Sequence, residues 1–114
     1  MTMVRIACCH RIKKNLGDVI ARLMPRVVAR YLDEPNNPGF ELISVDVGVR
    51  FEDSPDNILH HDIEVTVEAN ESPWRLENKD DLAGKMAKNL QKALPEGTTG
   101  FVWLRLALAG RASF

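Results

Sequence analysis

A two-layer α/β sandwich, with a four-stranded mixed sheet and two helices on one of its faces, is the fold class this sequence predicts. Three observations predict it. The length is that of one domain, the apolar residues switch four times between period two and period 3.6, and the switches occur in the order β-α-β-β-α-β. At 114 residues, 45% hydrophobic and 27% charged, the chain is expected to form a single domain over residues 1–114. Folding at this size buries about two thirds of the unfolded surface, enough for a core without disulfides or metal. Little area is left for a private substrate pocket, so a site completed by a second subunit is expected.

The elements follow in order. Residues 3–9, rich in β-branched and apolar types, read as a short first strand. Leu16, Val19, Ile20, Leu23, Met24, Val27, Val28 and Tyr31 then recur at spacings of three and four, with Arg22, Arg26 and Arg30 on another face: an amphipathic helix. Pro25 falls inside that pattern and predicts a kink or break near Met24, because its ring removes one N–H and crowds the preceding turn. The segment 33–39, with two Pro, two Asn and a Gly, predicts a loop. Ile43, Val45, Val47, Val49 and Phe51 alternate with polar residues as a half-buried second strand. An acidic turn, EDSPDN, precedes a third strand over residues 61–70, with Ile63, Val65, Val67 and Ala69 on one side. A loop through Pro73 and Trp74 leads to Asn78 as the expected N-cap of a second helix, with Asp81 at its third position. Leu82, Met86, Leu90 and Leu94 form that helix's apolar face. Residues 101–109 read as the last strand, with Val102, Leu104, Leu106 and Leu108 opposite Phe101, Trp103, Arg105 and Ala107.

Both helices are expected on the sheet face that carries the valine and isoleucine rows. The other face would hold Arg5, Asp46, Arg50, Glu64, Glu68 and Arg105 among Ala7, Gly48, Thr66 and Trp103. That mixture suits a solvated surface or an oligomer interface laced with ion pairs, and Trp103 favours the interface. Net charge is −1, so no global basic field exists to gather phosphates; neither nucleic acid nor a membrane is expected as a partner. The charge is uneven: +3 over residues 1–50, −8 over 51–81 and +4 over 82–114.

Cys8 and Cys9 are adjacent, so an ordinary intrachain disulfide is not expected, because neighbouring strand side chains diverge. With no signal peptide and no apolar run of about 18 residues, a cytoplasmic location is the expectation. Cys8, Cys9, His10, His60 and His61 offer soft ligands but lack metal-binding spacings, so no metal is expected. Cys8 reads as a buried strand residue; as a nucleophile, either thiol would need a base such as His10. No nucleotide-binding or common hydrolase motif occurs, and no cofactor is expected.

The whole-chain element order, the opening strand TMVRIACC, the long amphipathic helix and residues 54–75 (SPDNILHHDIEVTVEANESPWR) resemble the tautomerase superfamily. That family includes macrophage migration inhibitory factor and 5-carboxymethyl-2-hydroxymuconate isomerase. The resemblance implies a homotrimer with sites between subunits. It also implies proton transfer between carbon and oxygen in a small carboxylate-bearing keto or enol compound, with an N-terminal proline as base and arginines holding the substrate. This sequence departs at the decisive position, where Thr2 replaces the proline. Removal of Met1 would leave the Thr2 amine as a weak base or Schiff-base former; with Met1 retained the amine is displaced by one residue.

The candidate site residues on this reading are Thr2 as the catalytic group and Arg50, Arg75, Trp74 and Trp103 as substrate contacts. Arg75 matches the arginine that follows the third strand in the hydroxymuconate isomerase branch. The competing reading of Arg50 and Arg75 is surface arginines paired with the abundant carboxylates, and Trp74 either closes a pocket or packs a loop. Two other functions compete: a non-catalytic trimeric binding or structural protein of the same fold, and a ferredoxin-like binding module sharing the element order. Strand order separates that module from the tautomerase arrangement, in which each strand-helix-strand half keeps its two parallel strands adjacent.

Overall fold

Alternating burial along each strand and a 3.6-residue stripe along each helix leave one way to close the core, with both helices laid across the same sheet face. The computed structural model describes residues 2–52 and 61–108. They form β1 (Thr2–Cys8), α1 (His10–Leu32), a 3₁₀ turn (Ser44–Asp46), β2 (Val47–Phe51), β3 (Ile63–Asn70), α2 (Pro73–Lys92) and β4 (Gly100–Ala107). The acidic turn beyond Glu52, together with Met1, His60 and Ala109, lies outside the described residues.

The strand order is β2-β1-β3-β4. β1 runs parallel to β2, β3 parallel to β4, and the two pairs meet antiparallel through β1 and β3. Each half therefore keeps its strands side by side. The ferredoxin-like module is overturned by this order, since it needs the two halves interleaved.

α1 packs on β1 and β2, and α2 on β4. Between the layers lie Val4, Ile6, Val65, Val67, Ile20, Met24, Val28 and Met86, all without solvent exposure. Gly100 starts β4 where a Cβ would sit only 2.5 Å from the Ile63 carbonyl oxygen, so no larger residue fits without moving the strand.

Three expectations are corrected. α1 runs unbroken through Pro25. The buried residues Met24, Val27, Val28 and Ala29 around it supply more packing than the roughly 3 kcal/mol that a mid-helix proline costs. The second strand is shorter than its alternation implies: residues 44–46 form the 3₁₀ turn, and Ile43 and Val45 are 61% and 83% exposed. α1 packs against the 3₁₀ turn, and Leu42 before it is buried, but Ile43 and Val45 point out of that contact. α2 starts at Pro73 rather than after Asn78. Ser72 is its N-cap, its hydroxyl accepting the Arg75 N–H at 3.1 Å, and Pro73 at the first helical position arrives with a helix-compatible φ. Asn78 instead donates back to the Trp74 carbonyl from within the helix.

Candidate functional site

The topology gathers chain ends at one edge of the sandwich. β1 begins opposite the start of β2 and beside the last residues of β3, while β3 and β4 finish in register at Asn70 and Ala107. α1 returns the chain to this end at Leu32, and α2 leaves it at Pro73. Thr2 therefore shares this end with the loop after α1 and the first turn of α2. Its side chain follows the alternation of Val4 and Ile6 onto the helix-covered face and is 7% exposed.

Beside it lies a buried polar cluster. Arg75 is 3% exposed. Its Nη1 donates to the Asn70 carbonyl at 2.9 Å and its Nη2 to the Leu32 carbonyl at 2.8 Å. Its Nε lies 3.1 Å from Glu34 Oε2, an ion-pair contact rather than a well-aligned hydrogen bond. The Ser72 hydroxyl donates to the same Glu34 oxygen at 2.8 Å. The guanidinium carbon sits 5.1 Å from the Phe40 ring centre, and Asp33 Oδ1 accepts the Leu42 N–H at 2.8 Å. Burial pushes the Arg75 pKa down, and Glu34 and then Asp33 oppose that shift. One cation thus ties together the C-terminal carbonyl of α1, the end of β3, the start of α2 and the loop between α1 and β2. Its position at the last turn of α1 also suits that helix's dipole.

The five expected site residues divide into two groups. Thr2, Trp74 and Arg75 lie at this end, with Trp74 42% exposed on the first turn of α2. Arg50 and Trp103 lie on the outer face of the sheet, at the two ends of the cross-strand row Arg50, Arg5, Thr66, Trp103. Three interstrand steps of about 4.8 Å place them roughly 14 Å apart. A single chain does not bring the five together. Arg75 is not a surface arginine: its donors are turned inward, onto two carbonyls and Glu34.

The outer face carries a lattice of opposite charges. Arg5 Nε lies 2.6 Å from Glu68 Oε1 and its Nη1 3.3 Å from Glu52 Oε1, while Glu68 is in register with Arg105. Trp103 is 56% exposed there, 6.0 Å from the Phe101 ring, which meets His61 edge-on at 4.4 Å. At the opposite end from Thr2, Cys8 is buried, Cys9 half-buried and His10 exposed; both cysteines are free thiols. No three His, Cys, Asp or Glu side chains converge to hold a metal among the described residues. Nor is any helix among them long and apolar enough to cross a membrane.

Sequence reasoning missed Glu34 and Ser72. The Ser-Pro step at 72–73 was the available signal for the cap. Nothing local marked Glu34, which reaches Ser72 across 38 positions of sequence.

A four-stranded mixed sheet with this order and two helices on one face is the tautomerase-like fold that the element order predicts. Among solved structures, the chain is similar to the macrophage migration inhibitory factor-like protein of Entamoeba histolytica, with a TM-score of 0.56. The match covers 99% of this chain and 92% of that one at 10% identity, so the likeness is one of fold alone. No protein-family model matches the chain, and no curated protein does either.

Proposed function

We propose that the protein is a homotrimer whose small-molecule site lies at the Thr2 end of β1 and accepts a carboxylate-bearing keto or enol compound. The observation that carries this reading is the position of Thr2, at the first position of a central strand and inside the ring of chain ends. An amine freed there by removal of Met1 would be shielded from water. Burial disfavours its charged form, so it would titrate below the ordinary α-amino value of about 7.7–8 and accept a substrate proton near neutral pH. Arg50 and Trp103, too far apart to share a site with each other in one chain, would enter it from neighbouring subunits.

Exposed apolar side chains support the trimer. Ile43 and Val45 lie beside β2, and Phe101, Trp103 and Leu108 lie on or after β4, so both edges of the sheet carry surface that a neighbour would cover. A head-to-tail contact of unlike edges gives a closed trimer where each copy is turned by a third of a circle from the last.

A second reading, a non-catalytic trimer of the same fold, is favoured by Arg75. Its guanidinium is committed to Glu34, Leu32 and Asn70, and it cannot turn to a substrate carboxylate without stranding those groups.

The test combines three measurements on one preparation: intact mass for the state of Met1, sedimentation for the assembly, and enol loss of phenylpyruvate by ultraviolet absorbance. A trimer lacking Met1 that ketonises phenylpyruvate faster than buffer supports the first reading. Activity appearing only in Thr2→Pro assigns the wild-type protein to the second, and a monomer at micromolar concentration refutes both.

A further inference from the structure

The outward face of α1 carries a feature that a solvated helix does not need. Arg22, Arg26 and Arg30 are all exposed and recur every four residues, about 6 Å apart along the axis. No carboxylate pairs with any of them among the described residues, whereas Arg5, Arg75 and Lys85 each have an acidic partner. Even Asp18, one turn before Arg22, offers its backbone carbonyl to Arg22 Nε at 3.3 Å. Arg26 Nε likewise donates to the Arg22 carbonyl at 3.4 Å. These bonds lay the guanidinium groups along the helix and leave their terminal nitrogens as donors. Like charges at this spacing oppose the helix rather than support it. The residue type is informative as well. The exposed cations of α2 are Lys79, Lys85, Lys88 and Lys92, whereas this stripe of α1 is all arginine, whose fork binds carboxylates in a fixed geometry.

The stripe borders a groove of about 230 Å³ between the helices, lined by Leu23, Arg26, Val27, Arg30 and Asn89. One wall is braced: Asn89 Nδ2 donates to the Tyr31 hydroxyl at 2.8 Å and to the Lys85 carbonyl at 3.0 Å, and Arg30 sits over the Tyr31 ring. Leu23 and Val27 give the groove an apolar floor, and Val19 is exposed one turn away.

We propose that this face docks an acidic amphipathic helix of a partner protein, with carboxylates four residues apart over the arginines and an apolar side chain in the Leu23–Val27 groove. Charge complementarity and the shared rise of about 6 Å per four residues fix the match. A nucleic acid is disfavoured because no aromatic ring along the stripe is free to stack a base; Tyr31 is held by Asn89 and Arg30. The stripe lies on the exposed face of α1 whereas Thr2 is buried beneath the helices, and the proposal does not depend on that function.

The test uses the full chain and a fluorescein-labelled, alanine-based helical peptide with Glu at three positions four residues apart and leucines on the adjoining stripe. Anisotropy at low salt is expected to show saturable binding that weakens as salt rises. Arg26→Gln/Arg30→Gln should weaken it about three- to thirtyfold, while Lys92→Gln, on the other helix, should leave it within about twofold. Circular dichroism and thermal melting of the double variant guard against misfolding, and removal of like charges is expected to leave its melting temperature no lower. Absence of saturable binding overturns the proposal, as does equal binding by the double variant. Tighter binding of oligouridine or of phosphatidylserine vesicles than of the peptide would assign the stripe to another partner and overturn it too.

Discussion

Replacing Arg75 with methionine removes the charge and keeps an apolar side chain of comparable reach. The guanidinium is one of the most buried polar groups in the molecule, its side chain 4% exposed and that of its partner Glu34 11%. Loss of one member of a buried pair costs about 3–5 kcal/mol, because the other charge stays desolvated without compensation. The Leu32 and Asn70 carbonyls also lose their side-chain donor, each worth roughly 1–3 kcal/mol where water cannot replace it. These penalties overlap, since one relaxation of the loop after α1 relieves several of them, so the total expected is about 3–5 kcal/mol. For a domain of this size that lowers the melting temperature by more than about 10 °C. Urea unfolding followed by tryptophan fluorescence, at one fixed protein concentration, measures it. Glu34→Leu in the Arg75→Met background should recover part of the loss, because two matched apolar groups strand no charge, and the cycle should show coupling of about 1–3 kcal/mol. A single Arg75→Met variant within about 0.5 kcal/mol of wild type would refute the account of Arg75 as the pin of this end.

Three further outcomes follow from local geometry. Gly100→Ala should cost about 1–3 kcal/mol, because its Cβ meets the Ile63 backbone, whereas Gly84→Ala, with open space in α2, should gain about 0.5–1 kcal/mol. Thermal melts of the pair check both, and equal effects would contradict the close strand approach. Pro25→Ala restores an N–H inside α1 and is expected to stabilise by about 1–3 kcal/mol; a lower melting temperature would show that the ring's packing outweighs the bond. Burial lifts the Cys8 thiol above its ordinary pKa, with Cys9 adding to the shift and Lys13 opposing it. The unfolded chain therefore releases this proton first, so the Cys8 contribution to stability is intact below about pH 8.5 and falls as pH rises through the folded value. Urea midpoints on the alkaline side should fall less steeply for Cys8→Ala than for wild type, and parallel slopes would count against a buried thiol.

Much of the candidate site was legible only as residue types. Thr2, Trp74, Arg75, Arg50 and Trp103 stand out because a strand start, a pre-helix turn and mid-strand aromatic or basic residues are recognisable one at a time. Their grouping was not legible. Whether Arg75 faces a ligand or the core depends on Glu34, which reaches it through the loop between α1 and β2. The same loop explains Ile43 and Val45, whose alternation reads as buried strand although the 3₁₀ turn over residues 44–46 breaks the period of two and leaves both exposed. Pro25 was misjudged in the opposite sense: its local cost was weighed without the packing on both sides of it.

Element order, the inward rows of β1 and β3 and most of the apolar stripe of each helix were determined by the sequence alone, because periods of two and 3.6 are imposed by backbone geometry at each residue; Ile43, Val45 and Leu108, read as inward, are exposed. Strand order, the burial of Arg75 and the division of the site residues between the Thr2 end and the outer sheet face were decided by the tertiary structure. Those depend on which distant segments meet, and the energy of a buried charge or an uncovered valine is set by neighbours tens of residues away.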